Sequence, residues 1–281
     1  MRRLVKSFGS LLLFALIFVV AQAGVSLLVG VFGFGFIDES GITDFGFMAV
    51  YLMSMLLVLM LVTFEERLCF GSVRRVEHSR RGFDPIGLLL GVVLLIAISV
   101  VMQPLGDLMP VDERSFPDGG WTLFSVVVLA PILEELIFRV RLYNILSRSL
   151  SPLMSASLSA LMFGLVHLEP IVILEGFVVG IVLSYFYIQK RSIVAPILLH
   201  ACNNAIAYVL HFISYREESL VDMLDDNLPY YVVYGVSCVV VMVAAVVILR
   251  KFIKERKALR LDVAEEVVHE EPEPSDEVEG Q

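Results

Sequence analysis

The sequence predicts an all-α fold: a polytopic bundle of about eight transmembrane helices with a polar cavity inside the membrane. Three observations lead there. The 281 residues are 58% hydrophobic, with a mean hydropathy of +0.83, far more apolar than a soluble domain of this length. Apolar runs of about 18 residues or more recur along the chain, long enough to cross hydrocarbon as helices. The alternating strands of roughly ten residues that a membrane β-barrel requires are absent from the sequence.

The apolar runs place candidate spans at 8–32, 45–63, 83–103, 121–148, 152–168, 171–188, 193–213 and 230–250. Pro104, Pro110, Pro117, Pro152, Pro170 and Pro229 fall in or beside the connections, where helix breakers belong. The start, "MRRLVKSFGSLLLFALIFVVAQAG", mimics a secretory leader, with Ala21-Gln22-Ala23 as a cleavage-like site. Its apolar character continues to Phe36, so an uncleaved first helix is expected.

Charge then orients the bundle. With the N-terminus inside, the inner segments hold eighteen Lys and Arg residues, leaving aside Arg139 within the fourth span. The outer segments hold only Arg114 and Arg216. That bias places both termini in the cytoplasm. The net charge of −9 resides in residues 261–281, which carry nine acidic residues and no Lys or Arg. The domain reading is therefore a membrane domain over 1–260 and an acidic, disordered cytoplasmic tail over 261–281. Cys69, Cys202 and Cys238 are widely spaced and fit no metal or disulfide pattern.

Polar residues inside the spans carry the functional signal, because ionisable groups in hydrocarbon are expensive. They concentrate in the fourth to seventh spans: Glu134, Glu135, Arg139, His167, Glu175, His200, Asn203, Asn204 and His211. Helical spacing sorts them. Glu135 and Arg139 are four apart, acid before base, the better order for an ion pair. Glu134 lies about 100° away, which leaves it as the carboxylate available for chemistry. His200 and Asn204 share one helix face, as do Phe163 and His167. Interhelical hydrogen bonding alone is a poor account of so many costly groups, each bond being worth about 0.6 kcal/mol.

Two chemistries suit a carboxylate with two histidines and an amide. Either Glu134 is a general base that activates a water, or Glu134, His167 and His200 ligate a metal that does so. The HExxH spacing of a helical zinc protease is missing. Cys202 lies on a different face from His200, and so is a weak candidate nucleophile. A proton-coupled transporter would favour related half-sites in both halves of the chain, and here the polar residues occupy one half. Depth is not level along straight helices. Glu134 and His167 lie roughly 20 Å from the inner ends of their spans, and His200 only about 10 Å.

Three motifs then align with a known family. "EELIFR" fits EExxxR (Glu134, Glu135, Arg139), "FGLVH" fits FxxxH (Phe163, His167), and "HACNN" fits HxxxN (His200, Asn204). Their order and separation resemble the CPBP family of intramembrane glutamic endopeptidases, related to the type II CAAX prenyl protease. The resemblance covers residues 121–210. Ser184 departs mildly from it, where a glycine is commoner. The resemblance implies that Glu134 activates water, His167 helps hold it, and His200 and Asn204 stabilise the oxyanion. Glu135, Arg139 and Phe163 would support the site, and no catalytic metal or other cofactor is implied.

The expected function is thus an intramembrane endopeptidase in a prokaryotic cell membrane. Its partners would be the lipid bilayer and a peptide or membrane-protein substrate, with no nucleic acid. The alternative is a non-catalytic membrane interaction or bacteriocin-immunity protein on the same scaffold.

Overall fold

A computed structural model describes residues 2–33, 35–39, 41–73, 84–109, 117, 119–214 and 228–269. Among them are eight helices and no barrel. They are α1 (Arg2–Phe32), α2 (Asp44–Phe70), α3 (Pro85–Leu108), α4 (120–146), α5 (Pro152–Leu165), α6 (Pro170–Lys190), α7 (Val194–Ser214) and α8 (Leu228–His269). A two-residue hairpin, β1 (Ile37–Asp38) with β2 (Gly41–Ile42), joins α1 to α2. Five helices are long and apolar enough to cross a membrane on their own. The chain is an all-α membrane bundle.

Local sequence sets the helix starts. Thr43, Asp84 and Ser151 cap α2, α3 and α5 by accepting from the backbone N–H three residues on. Pro85, Pro152 and Pro170 open their helices, where a missing N–H costs nothing. Two expectations fail in detail. Pro104 does not end α3, which continues to Leu108; a proline so near the end of a helix disrupts only its last turns. The fifth span stops at Leu165 rather than 168, because Pro170 forces Glu169 to be extended (φ −80°, ψ 130°). Leu168 takes up the turn in the left-handed region (φ 69°). At fourteen residues, α5 is about 21 Å long, short of the roughly 30 Å of hydrocarbon.

The last helix runs on to His269, so helical backbone enters the segment expected to be a disordered tail. Residues 254–267 are mostly Lys, Glu, Arg, Ala, Leu and Val, and the first five of these are good helix formers. Residues 270–281 lie outside the described residues. So do Arg74, Arg75, Arg80, Arg81, Arg114 and Arg216, most of the acidic loops, and the side chain of His211.

The centre of the bundle is α4, with Ile137, Phe138, Val140, Leu142 and Leu146 fully enclosed. One side packs with Phe14, Phe18 and Ala21 of α1 and Met55, Val58 and Val62 of α2. The other joins a core from α3, α6, α7 and α8. Ala21 of the cleavage-like site is thus a core residue. Removing the chain up to Ala23 would strip Phe14, Phe18 and Ala21 from that core.

At the end of the bundle that carries the start of α1, buried Glu66 holds Arg141 at 3.2 Å and Arg148 at 2.7 Å. Ser10 donates to Glu65 there, and Lys6 donates to the Cys69 carbonyl. Asp84 pairs with Lys190 at 2.7 Å, which ties α3 to α6. Lys190 and the Gly87 N–H together hold the Asp84 carboxyl below its usual range.

Small residues let α5 and α6 approach closely, as in small-xxx-small membrane pairs. A Cβ at Gly164 would collide with the Ile173 carbonyl oxygen, and one at Gly180 would meet Ala160 Cβ at 2.8 Å. Ser184, four residues beyond Gly180, is fully buried. The obstacle at Gly164 is backbone and cannot rotate away. Gly164→Ala is therefore expected to destabilise by about 1–3 kcal/mol, read as a lowered thermal midpoint in detergent. An unchanged midpoint would show that the helices have room to part.

Candidate active site

Unlike its neighbours, α4 is not a regular α-helix. It widens into π-helical turns at Ser125–Leu129 and Leu136–Tyr143, on either side of Ala130–Glu135. Such turns are common at functional sites, and here they flank the two glutamates. Glu135 and Arg139 are both fully buried and pair at 2.8 Å. The same guanidinium donates to the Gly180 carbonyl at 3.2 Å and lies 4.6 Å from the centre of the Phe163 ring. Three elements thus meet on Arg139.

His200 stands between the two glutamates. Its Nδ1 donates to Glu135 Oε1 at 3.0 Å, which leaves Nε2 facing Glu134 Oε2 at 3.7 Å. The unequal depths expected from straight spans do not keep His200 from Glu134. The chain turns at Arg191 in the left-handed region (φ 46°), and Ser192 and Ile193 are already buried. The helix starts packed against its neighbours, and the contact of His200 with Glu134 shows that the two residues meet at one level.

Phe163 is the apolar centre of the site. Its ring lies 5.3 Å from that of His167 and 5.4 Å from that of His200, edge-on to both. Phe138 packs on it as well, at 5.3 Å. The Nδ1 of His167 donates to the Phe163 carbonyl at 2.9 Å, which leaves Nε2 as the ring nitrogen outside that bond. His167 is half-buried, in contrast to His200. Asn204, one turn beyond His200, donates one amide hydrogen to the Val126 carbonyl at 2.9 Å. That carbonyl belongs to the first π-helical stretch.

The structure brings Glu134, Glu135, Arg139, Phe163 and His200 together, with His167 beside Phe163 and Asn204 on the adjoining wall. Glu175 and Asn203 are half-buried, and Cys202 is exposed on the other face of α7. Among the described residues, no three His, Cys, Asp or Glu side chains are grouped to hold a metal ion.

One contact lies outside every motif. Tyr51 on α2 donates to Glu134 Oε1 at 2.7 Å. A tyrosine in an apolar span carries no sequence signal, since its amphipathic ring is at home there. The buried Glu65 and Glu66 are legible as charges, but they fall beyond the expected end of the second span at 63. In fact α2 continues to Phe70.

The comparisons with known proteins bear on the same region. Residues 117–206 match the family described as Type II CAAX prenyl endopeptidase Rce1-like. No curated protein and no solved structure matches the chain. The matched segment runs from the start of α4 into α7 and contains every side chain of the site except Tyr51. Over this segment the chain is similar to the CAAX protease-like family.

Proposed function

We propose that the chain is an intramembrane endopeptidase that hydrolyses a peptide bond with a water activated by Glu134. The family match over residues 117–206 supports a CAAX-type intramembrane protease. The observation that carries the finer reading is the placement of Glu134. One carboxylate oxygen faces His200 Nε2 at 3.7 Å, while the neighbouring carboxylate is already neutralised by Arg139. Glu134 is the acid of the pair left to exchange a proton.

In this mechanism Glu134 takes a proton from water as the water oxygen bonds to the scissile carbonyl carbon. The lone pair of His167 Nε2 orients that water. The carbonyl oxygen becomes an oxyanion. It is met by the second amide hydrogen of Asn204 and by His200 Nε2 when that nitrogen carries a proton. The tetrahedral adduct collapses, the C–N bond breaks, and Glu134 returns its proton to the leaving amine. Glu135 and Arg139 keep His200 in place, and Phe163 walls off the pocket. The chain lies in the cell membrane with both termini cytoplasmic, and its substrate is a peptide or a membrane protein.

The test is cleavage of a broad peptide library by the purified full-length protein, with and without a metal chelator. Cleavage indifferent to chelator supports a glutamate-activated water. Cleavage lost with chelator would move Glu134 and the histidines to a metal site. No cleavage by a well-folded sample would favour a non-catalytic interaction protein on this scaffold.

A further inference from the structure

We propose that Tyr51 is a positioning residue for Glu134, supplied by a helix outside the segment that carries the family motifs. The inference rests on the proteolytic reading above. Tyr51 and Glu134 are 83 residues apart, and their contact is a phenol O–H donated to a carboxylate oxygen at 2.7 Å. Such a charge-assisted bond is about twice as strong as a neutral one. The Tyr51 ring packs beside the apolar cluster formed by α1, α2 and α4, so only its polar tip meets the site.

A second contact holds α2 in register with α4. Asp44, seven residues before Tyr51 and on the same face of α2, accepts from the backbone N–H groups of Trp121 and Thr122. It thereby caps the first turn of α4. The edge-on contact between the Phe45 and Trp121 rings, at 5.6 Å, reinforces the same junction. The α2 helix is thus fastened to α4 at the Asp44 cap and again at the Tyr51–Glu134 bond.

The consequence for chemistry concerns the rotation of one carboxylate. A glutamate side chain turns freely about its terminal torsion unless something holds it. Tyr51 occupies Oε1, and the remaining oxygen, Oε2, is the one that faces His200. The phenol therefore selects which oxygen receives the proton from water and fixes its direction. His200 and Glu135 act on the histidine side of the site, and among the described residues Tyr51 alone donates a hydrogen bond to the Glu134 carboxylate itself.

The experiment is a comparison of wild type and Tyr51→Phe on a peptide that wild type cleaves. The variant keeps the ring and removes only the O–H. Loss of one hydrogen bond to a charged group is expected to lower kcat about 10- to 100-fold, with KM within about twofold and the thermal midpoint lowered by no more than about a few degrees. A kcat equal to wild type would overturn the proposal. So would a loss confined to KM, which would make Tyr51 a binding residue, or a fall in kcat that disappears when the variant is assayed well below its own thermal midpoint, which would make it a packing residue. A wild-type protein that cleaves nothing overturns the proteolytic reading itself, and this proposal with it. The two failures are therefore told apart by the wild-type arm.

Discussion

Glu134→Gln is expected to lower kcat/KM for peptide cleavage by about 10²–10⁴-fold, the range supplied by a general base, with little change in thermal stability. Glutamine keeps the shape of the side chain, and its carbonyl oxygen can still accept from Tyr51. What it loses is the ability to take a proton from water. No ion pair is orphaned, because Arg139 is engaged with Glu135. Initial rates on a library-derived peptide, measured beside a thermal melt in detergent, check both halves of this expectation. Activity within about threefold of wild type would remove Glu134 from the base role, given the range above. Glu135→Gln should behave differently. It leaves the fully buried Arg139 without a negative charge to answer it and gives His200 Nδ1 a neutral amide oxygen in place of a charged acceptor. Stability and activity should then fall together.

Arg139→Met is expected to cost about 3–5 kcal/mol, the penalty for breaking a buried pair by removing one partner. For a chain of this size that corresponds to a fall in thermal midpoint on the order of 10 °C. Three things are lost at once: the pair with Glu135, the bond to the Gly180 carbonyl, and the guanidinium against the Phe163 ring. The Glu135 carboxylate, fully enclosed, then has only His200 to answer it. Arg139→Lys should recover little, since an ammonium cannot reproduce the planar fork. The discriminating case is the double variant Glu135→Gln with Arg139→Met. Removing both charges together should restore much of the lost stability. A double variant no more stable than Arg139→Met alone would show that packing around the guanidinium, rather than its charge, holds this region.

The two effects land on different helical faces, and residue spacing alone is enough to separate them. Adjacent glutamates on one helix diverge by about 100°, and a base four residues after the second claims that one. The spacing of Phe163 to His167 and of His200 to Asn204 is equally readable, because each pair is local to one helix. The eight helices are readable from apolar runs alone, since hydrocarbon leaves a spanning backbone few other ways to satisfy its hydrogen bonds.

What sequence could not supply is contact between helices distant in the chain. Spacing pairs Glu135 with Arg139 but does not reveal that His200 bridges both glutamates, a relation over 65 residues. It does not reveal that His200, which straight spans would set at another depth, meets Glu134. Nor does it find Tyr51, a residue unremarkable in its own helix that meets Glu134 where Asp44 seats α2 against α4. The π-helical turns of α4 are also hidden, because widening by one residue per turn leaves the composition unchanged. The physical reason is common to all four. Periodicity and charge report what one segment needs to satisfy for itself, while the partner that satisfies it is chosen by packing. In this protein the sequence by itself determined the membrane bundle, the motif residues and the face each occupies; tertiary structure decided which oxygen of Glu134 faces His200 and which phenol holds the other.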